Sequence, residues 1–292
     1  MTELIHPTAL VASGARLGAG VRIGAFSVVG PEVTLEAGVE LGHHVVLEGR
    51  VVLGPRARVG HGAVLGGDPQ ALKFKAETPS GVRIGAETVI REFVTIHRAT
   101  QPEGWTEVGA GCLLMASSHL AHDCQLGDGV IVINYAGIAG HCRLEERVTV
   151  GGFVGLSPFT RVGAHAYVGG YAKVTSDVPP YMLVDGNPAA IHGVNVIGLR
   201  RAGMAVAERR VLQQAHRLLC RSGLSPKAAV DRIGEELGEH VPVRRLLDFI
   251  RASRKGICAP AQARRGRALA GVYSGGAADH EGGRGGSPEE EV

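Results

Sequence analysis

The chain has 292 residues, a formal net charge of +3 and 44 glycines that follow no three-residue period, so a collagen-like protein is excluded. No apolar run approaches the roughly 20 residues that a membrane span needs, and the N-terminus lacks a signal-peptide core. The small charge gives no reason to expect a nucleic-acid partner. We therefore predict a cytoplasmic protein with one large domain and a smaller one.

An apolar residue recurs at every sixth position in three stretches, Ile5 to Leu65, Ile84 to Ile96 and Val108 to Val174. Four places after each comes a small or β-branched residue, so both series share an interior. A helix needs apolar residues every three to four places and a single strand every two. A period of six instead predicts short strands separated by tight turns, stacked as coils of a mainly β protein, a parallel β-helix. Three hexads close one triangular coil, so residues eighteen apart lie one above the other, about 4.8 Å apart.

The stacked triangular coils form a prism. Two segments interrupt the repeat and are predicted to leave this prism as loops. The first, residues 66–83, shifts the phase by one residue, whereas the second, residues 98–107, keeps it. Loops that leave a rigid scaffold often carry function. The first excursion contains Gln70 and Lys73, although a plain solvated loop would contain such residues as well.

The period changes beyond Asn195. Leu212, Ala215 and Leu218 follow helical spacing, and Ser225-Pro226 is a typical helix start. We predict a β-helix over residues 1–195 and a C-terminal α-helical domain over residues 196–255. The composition then falls to Gly, Ala, Arg and Glu, which predicts a disordered tail over residues 256–292.

The five cysteines agree with a reducing compartment. Cys112, Cys124 and Cys142 fall on the small interior position of their hexads, so we expect buried free thiols. A disulfide or a metal site is the alternative.

Histidines are the most informative polar residues. His119 and His122 stand at hexad positions that point outward. The eighteen-residue rule puts Gly140 beside His122 and His141 beside Asp123. Imidazoles, a carboxylate and an approachable backbone N–H therefore meet on one edge. Such groups can take a proton from a hydroxyl, orient the imidazole and stabilise an oxyanion, as acyl transfer requires.

Several separated motifs together resemble the UDP-N-acetylglucosamine acyltransferases of lipid A biosynthesis: HPTALV, GGDPQALKF, IREFVTIHR, LLMASSHLAHDC, AGH at 139–141, DVPPYMLVDGN and GVNVIGLRRAG. Their order and spacing hold over essentially residues 1–255. The resemblance implies a left-handed β-helix. The handedness rests on the resemblance, because the general preference for right-handed crossovers would predict the opposite hand. It also implies a homotrimer with active sites between neighbouring prisms. The implied reaction moves a 3-hydroxyacyl chain from acyl carrier protein to the glucosamine 3-hydroxyl of UDP-N-acetylglucosamine, without a cofactor.

The resemblance assigns roles to individual residues. His122 would be the general base, Asp123 would orient it, and Gly140 would offer its N–H to the oxyanion. Other matched positions would bind the nucleotide sugar or set the length of the acyl chain: Gln70, Lys73, His119, His141, Asn195 and Arg201 for binding, and Gly170 for chain length.

Ser157 and Ile197 depart from the family pattern. Ser157 stands where many members have a histidine of the site, and Ile197 stands where many have a glutamate near the uridine. These departures argue for altered acyl or nucleotide contacts. They leave open an acceptor sugar with a 3-amino group, or a non-catalytic relative that binds a nucleotide sugar or a protein.

Two further interpretations fit the histidines. A chain with 13 histidines could show a surface cluster by chance. Three histidines at a trimer seam could also hold zinc with an open position, as in gamma-class carbonic anhydrases, which share this kind of β-helix. The resemblance to that family stops at the fold, and the helical domain is basic, with 13 Lys or Arg against 6 Asp or Glu in residues 200–255. Such an appendage has no role in hydrating carbon dioxide, so we expect no metal.

Overall fold

The computed structural model describes residues 4–261, and most of them form three sheets around a triangular prism. Each coil contributes one short strand in turn to the sheets that we call I, II and III. Leu10 pairs in parallel with Val28, and Gly137 with Gly155, so partners lie eighteen residues apart. The prediction of a left-handed parallel β-helix followed by a helical domain is confirmed.

The strands are numbered along the chain. Sheet I contains β1 (Leu10–Val11), β4 (Val28–Val29), β7 (Val46–Leu47), β10 (Val64–Gly67), β13 (Thr95–His97), β16 (His119–Leu120), β19 (Gly137–Ile138), β22 (Gly155–Leu156) and β25 (Lys173–Val174). Sheet II contains β2 (Arg16–Leu17), β5 (Thr34–Leu35), β8 (Arg50–Leu53), β11 (Gly81–Ile84), β14 (Trp105–Val108), β17 (Gln125–Leu126), β20 (Arg143–Leu144) and β23 (Arg161–Val162). Sheet III contains β3 (Arg22–Ile23), β6 (Glu40–Leu41), β9 (Arg58–Val59), β12 (Val89–Ile90), β15 (Leu113–Leu114), β18 (Ile131–Val132), β21 (Thr149–Val150), β24 (Tyr167–Val168), β26 (Met182–Asp185) and β27 (Ala190–Val194), the last antiparallel to β26.

Both repeated hexad positions point into the prism. Leu47 at the aliphatic position and Ala63 at the small position are each fully buried. Burying one such aliphatic side chain contributes about 1.5–3 kcal/mol, so the repeat itself supplies the core. The interior also holds the predicted buried free thiols, Cys112, Cys124 and Cys142.

Both excursions leave the prism at the corner that joins sheet I to sheet II. The first lies between β10 and β11, and the second lies between β13 and β14. Val64 pairs with Thr95, 31 residues later, and Thr95 pairs with His119, 24 residues later, because the extra residues loop out. The next turn at the same corner contains residues 121–124. The fold therefore stacks both excursions on the turn that carries His122.

Arg98 holds the first excursion against the prism. Its guanidinium donates to the Asp68 carboxylate at 2.7 Å and to the carbonyls of Ala76 and Thr78 at 2.6 Å. It also lies 4.8 Å above the centroid of the Phe74 ring. Because these contacts reach from residue 68 to residue 78, one side chain ties most of the first excursion to the prism.

Helices follow the last strand: α1 (Val196–Arg201), α2 (Val206–Arg221), α3 (Pro226–Leu237) and α4 (Val241–Arg251). The Ser225 hydroxyl caps α3 by accepting the Ala228 N–H, with Pro226 in the first turn. Arg245 on α4 pairs with Glu145 at 2.8 Å, which ties the helices to the prism. Within residues 4–261, no helix is both long and apolar enough to cross a membrane.

Residues 256–261 differ from the predicted disordered tail. Ile257 forms a β-bridge with Asp177, Pro260 bridges Ile191, and Cys258 is buried. Backbone pairing with the prism orders this segment, which composition alone does not reveal. The rest of the predicted tail, residues 262–292, lies outside the described residues.

Candidate active site

The turn between β16 and β17 carries His122 and Asp123. His122 Nδ1 lies 2.8 Å from Asp123 Oδ2, and both side chains are mostly buried. Asp123 adopts a left-handed conformation with φ +59°, which aspartate tolerates better than most residues. With the carboxylate as acceptor, Nδ1 carries the imidazole proton and Nε2 keeps a free lone pair.

Thr100, in the second excursion, holds the Asp123 carboxylate. The Thr100 N–H donates to both carboxylate oxygens at 3.2 Å, and its hydroxyl donates to Oδ2 at 2.7 Å. Burial raises the pKa of Asp123, but the hydrogen bonds from His122 and Thr100 outweigh burial, so this pKa lies below its ordinary value. The carboxylate is therefore ionised at neutral pH.

Gly140 lies against the ring of His122, one coil later. A Cβ built on Gly140 would lie 2.5 Å from Cε1, 2.8 Å from Nε2 and 3.0 Å from Nδ1 of that ring, so glycine alone fits without displacing it. The Gly140 N–H donates to no other group among residues 4–261. This position therefore places a free backbone donor beside the imidazole.

His141 lies beside Asp123, as the eighteen-residue rule predicts. Its Nε2 is 3.6 Å from Asp123 Oδ2, and its ring is perpendicular to that of His122 at a centroid distance of 5.1 Å. The other face of the His141 ring stacks on Phe159 at 4.5 Å. Stacking fixes the plane of this ring at the edge of the cluster.

His119 points outward from β16, next to the His122 turn. Its Nδ1 lies 2.7 Å from Thr95 Oγ1, and its ring meets that of His97 edge to face at 4.8 Å. Burial, and then the charges of His97 and His122, lower the pKa of His119 to about 4. Burial also lowers the pKa of His97. This surface therefore presents neutral imidazoles at physiological pH.

Gln70, Lys73 and Arg201 lie apart from this cluster in a single chain. Gln70 and Lys73 are exposed on the first excursion, and Arg201 is exposed at the end of α1. Their side chains form no hydrogen bond or ion pair with another part of residues 4–261. They are free to contact a ligand or a second copy of the chain.

Asn195 has a local structural role as the N-cap of α1. Its Oδ1 accepts the Gly198 N–H at 3.0 Å, and its Nδ2 donates to the His165 carbonyl at 2.9 Å. These bonds hold the start of the helical domain on the prism. They leave the second lone pair of Oδ1 and one Nδ2 hydrogen for other partners.

Gly170 lies at the corner that joins sheet III to sheet I. A Cβ there would lie 3.3 Å from the Gly152 carbonyl oxygen. Beside it, Tyr135, Phe153 and Tyr171 form an exposed column of stacked rings with centroids 4.9 Å apart. Gly170 therefore lies on an open surface with an aromatic border.

The two departures from the family pattern occupy different environments. The Ser157 carbonyl accepts the Cys142 thiol hydrogen at 3.2 Å, while the Ser157 hydroxyl has no hydrogen bond within residues 4–261. Ile197 is exposed on α1. Neither side chain carries a charge or a ring.

Sequence reasoning missed the residues that support the cluster: Thr95, His97, Thr100 and Phe159. Phe159 follows His141 by eighteen residues, so the stacking rule reaches it. The other three lie before or within the second excursion, where the partner spacing is no longer eighteen.

His122, Asp123 and His141 also offer possible metal ligands, since one ligand atom of each lies within 4.8 Å of the other two. His119 is not a member of this group, and its Nδ1 faces Thr95. The geometry thus groups two histidines with a carboxylate, in place of the three histidines considered from the sequence.

Known protein families and curated relatives are similar to this chain. Residues 177–258 match the family described as "Udp N-acetylglucosamine O-acyltransferase; Domain 2". The chain is 39% identical over 255 residues to the acyl-[acyl-carrier-protein]–UDP-N-acetylglucosamine O-acyltransferase of Thermodesulfovibrio yellowstonii, covering 87% of this chain and 98% of that protein. The protein of the same name from Syntrophobacter fumaroxidans is 40% identical with the same coverage.

Solved structures give the same result. LpxA from Acinetobacter baumannii superposes with a TM-score of 0.83 at 36% identity, covering 88% of this chain and all of that one. The UDP-N-acetylglucosamine acyltransferase of Francisella novicida gives a TM-score of 0.86 at 32% identity, with 95% and 100% coverage. The chain therefore belongs to the acyl-[acyl-carrier-protein]–UDP-N-acetylglucosamine O-acyltransferase family.

Proposed function

We propose that this protein transfers a 3-hydroxyacyl chain from acyl carrier protein to the 3-hydroxyl of UDP-N-acetylglucosamine, the first step of lipid A biosynthesis. The names of its relatives support the reaction type and both substrates. The observation that carries the proposal is the His122–Asp123 hydrogen bond of 2.8 Å beside the free N–H of Gly140.

The reaction uses the imidazole of His122 twice. Nε2 takes the proton of the sugar hydroxyl as its oxygen attacks the thioester carbonyl carbon. Asp123 stabilises the imidazolium, and the Gly140 N–H donates to the oxyanion of the tetrahedral intermediate. When the intermediate collapses, the carbon–sulfur bond breaks and the imidazolium returns its proton to the leaving thiolate. No serine or cysteine nucleophile and no cofactor is needed.

The remaining residues bind or select the substrates in this proposal. His141 contacts the sugar from the edge of the cluster, and neutral His119 lies near the diphosphate. Further contacts to the nucleotide sugar come from residues at some distance along the chain: Gln70, Lys73, Asn195 and Arg201. Gly170 leaves room for the end of the acyl chain, so a larger side chain there would shorten the chain that is accepted.

A homotrimer in the cytoplasm completes the proposal. Four proposed binding residues lie outside the His122 cluster: Gln70, Lys73, Asn195 and Arg201. Within the described part of one chain, none of them forms a hydrogen bond or an ion pair with His122, Asp123 or His141. Assembly of copies side by side would bring residues of one prism to the corner of the next. Light scattering of the purified chain tests this, because a monomer would contradict a site that needs neighbouring copies.

Replacing His122 with alanine tests the chemistry. Turnover with acyl carrier protein thioester and UDP-N-acetylglucosamine should fall about 100-fold or more, because the base is lost. The control His44→Ala removes an exposed imidazole in an N-terminal coil and should keep wild-type turnover. Near-normal turnover of a pure, folded His122→Ala variant would refute the proposed base.

A second acceptor is left open by Ser157, whose hydroxyl has no hydrogen bond within residues 4–261 and stands where many family members carry a histidine. The alternative substrate is a UDP-sugar with a 3-amino group. Measuring kcat/KM for both acceptors in one assay distinguishes them. Tight nucleotide-sugar binding without transfer to either acceptor would instead indicate a non-catalytic relative.

A further inference from the structure

His122, Asp123 and His141 bring three metal-ligand atoms together at the corner of the prism. His122 Nδ1 and His141 Nε2 lie 2.8 and 3.6 Å from Asp123 Oδ2. Zinc binds imidazole nitrogen and carboxylate oxygen at about 2.0–2.2 Å, so a tetrahedral ion holds its ligand atoms about 3.4 Å apart. The two measured separations differ from that spacing by about 0.6 and 0.2 Å, and all three ligand atoms lie within 4.8 Å of one another.

The rings already have suitable positions. Their planes are perpendicular and their centroids are 5.1 Å apart. Two imidazoles on one tetrahedral zinc ion have centroids separated by about 5 Å, given the same bond length. Because His122 and His141 stand on successive coils, the ladder fixes the backbones from which both rings project.

Thr100 supplies the support that a metal-binding carboxylate needs. Its N–H donates to both carboxylate oxygens of Asp123 and its hydroxyl donates to Oδ2, the oxygen that faces both histidine nitrogens, so the carboxylate is held in place. Hydrogen bonds of this kind tune metal sites and change affinity about 10- to 100-fold when they are removed. The cluster therefore has oriented ligands.

The ligand set selects the type of ion. Two nitrogens and one carboxylate oxygen suit Zn²⁺, whereas Mg²⁺ and Ca²⁺ prefer oxygen ligands. The side chain of His141 is 34% exposed, so an ion from solvent reaches the cluster. His119 stays neutral because burial lowers its pKa to about 4, so its ring does not repel a cation.

We propose that this cluster binds one Zn²⁺ per chain and that the bound ion stops acyl transfer. The inhibition rests on the proposed function. The ion takes the Nδ1 lone pair of His122, so the imidazole proton moves from Nδ1 to Nε2. Three coordination bonds form, the hydrogen bond to Asp123 breaks, and neither protons nor electrons leave the protein. Nε2 then has no lone pair for the sugar hydroxyl.

Metal binding is measured on the full chain without substrates. Competition with a chromogenic zinc chelator should give one ion per chain, and Co²⁺ should show the visible absorption of a tetrahedral complex. His141→Asn should weaken binding at least 10-fold, and Thr100→Val about 10-fold. The matched control, His43→Asn, alters the stacked His43–His61 pair in an N-terminal coil and should bind as wild type. Absent saturable binding, or an affinity unchanged in both cluster variants, overturns the site.

Inhibition is measured separately. Zinc at saturating concentration should abolish turnover of the wild type, and a chelator should restore it. Full turnover with one bound ion overturns the inhibition while the site stands. A chain with no turnover in zinc-free buffer contradicts the proposed function and the inhibition together, whereas the absorption measurements still decide metal binding.

Discussion

Replacing Gly140 with alanine tests how closely the proposed base must be placed. The added Cβ would lie 2.5 Å from Cε1 of His122, whereas carbon atoms in contact prefer about 3.5–4.0 Å. The ring must therefore move by about 1 Å, which would disturb its hydrogen bond with Asp123. A misplacement of this size costs about 100-fold in rate, or about 2.7 kcal/mol of activation free energy. Because Gly140 does not have a left-handed φ, alanine adds no backbone strain there.

The assay compares kcat for Gly140→Ala and Gly137→Ala, with thermal unfolding as the check on folding. Gly137 is the matched control, because an added Cβ meets no atom within 4 Å at that position of β19. We expect a loss of about 100-fold in the first variant and less than threefold in the second. Equal losses in both, or wild-type kcat in Gly140→Ala, would refute the reasoning.

Three further changes test the surroundings. Thr100→Val removes a hydrogen bond to a charged group, so kcat should fall about 10-fold and the pKa of the Asp123 carboxyl, followed by NMR titration, should rise; an unchanged pKa would contradict this. His119 has a pKa of about 4 when folded and 6.5 when unfolded, so its stabilisation is present above pH 6.5 and is lost as pH falls toward 4. Urea unfolding measures this as the fall in the free energy of unfolding between pH 7 and pH 5. In His119→Gln that fall should be about 1 kcal/mol smaller than in wild type, after allowance for partial exposure. An equal fall in both proteins would count against burial as the cause. Arg98→Gln should release the first excursion to a lysine-specific protease, while the control Arg83→Gln, which breaks an exposed ion pair, should not.

Much of the fold could be predicted because interior and turn positions alternate in every hexad. The count of residues then fixed the register, so His141 could be placed beside Asp123 without coordinates. The same count reached Gly140. The hand of the β-helix did not follow from the period, since both hands need the same apolar spacing, and it came from family resemblance.

The support of the site could not be predicted in the same way. Thr100 lies in an excursion that lacks the repeat, so nothing in its spacing indicates that it folds back onto Asp123. Arg98 is similar, because its partners are mainly backbone carbonyls that any residue supplies. The segment around Ile257 is held on the prism by a β-bridge to Asp177, which is far away in sequence. Contacts of these kinds depend on the path of the chain.

Asp123 and His141 lie side by side only because they are eighteen residues apart, so the number of residues between them is constrained separately from their identities. A substitution in this interval changes one side chain. A deletion instead shifts the register, so every later residue lies beside a different residue of the preceding coil. The second excursion avoids this penalty, because its additional hexad loops out and leaves the following strands in phase. Insertions should therefore accumulate in the excursions, while the interval from 123 to 141 keeps its length even where its composition drifts.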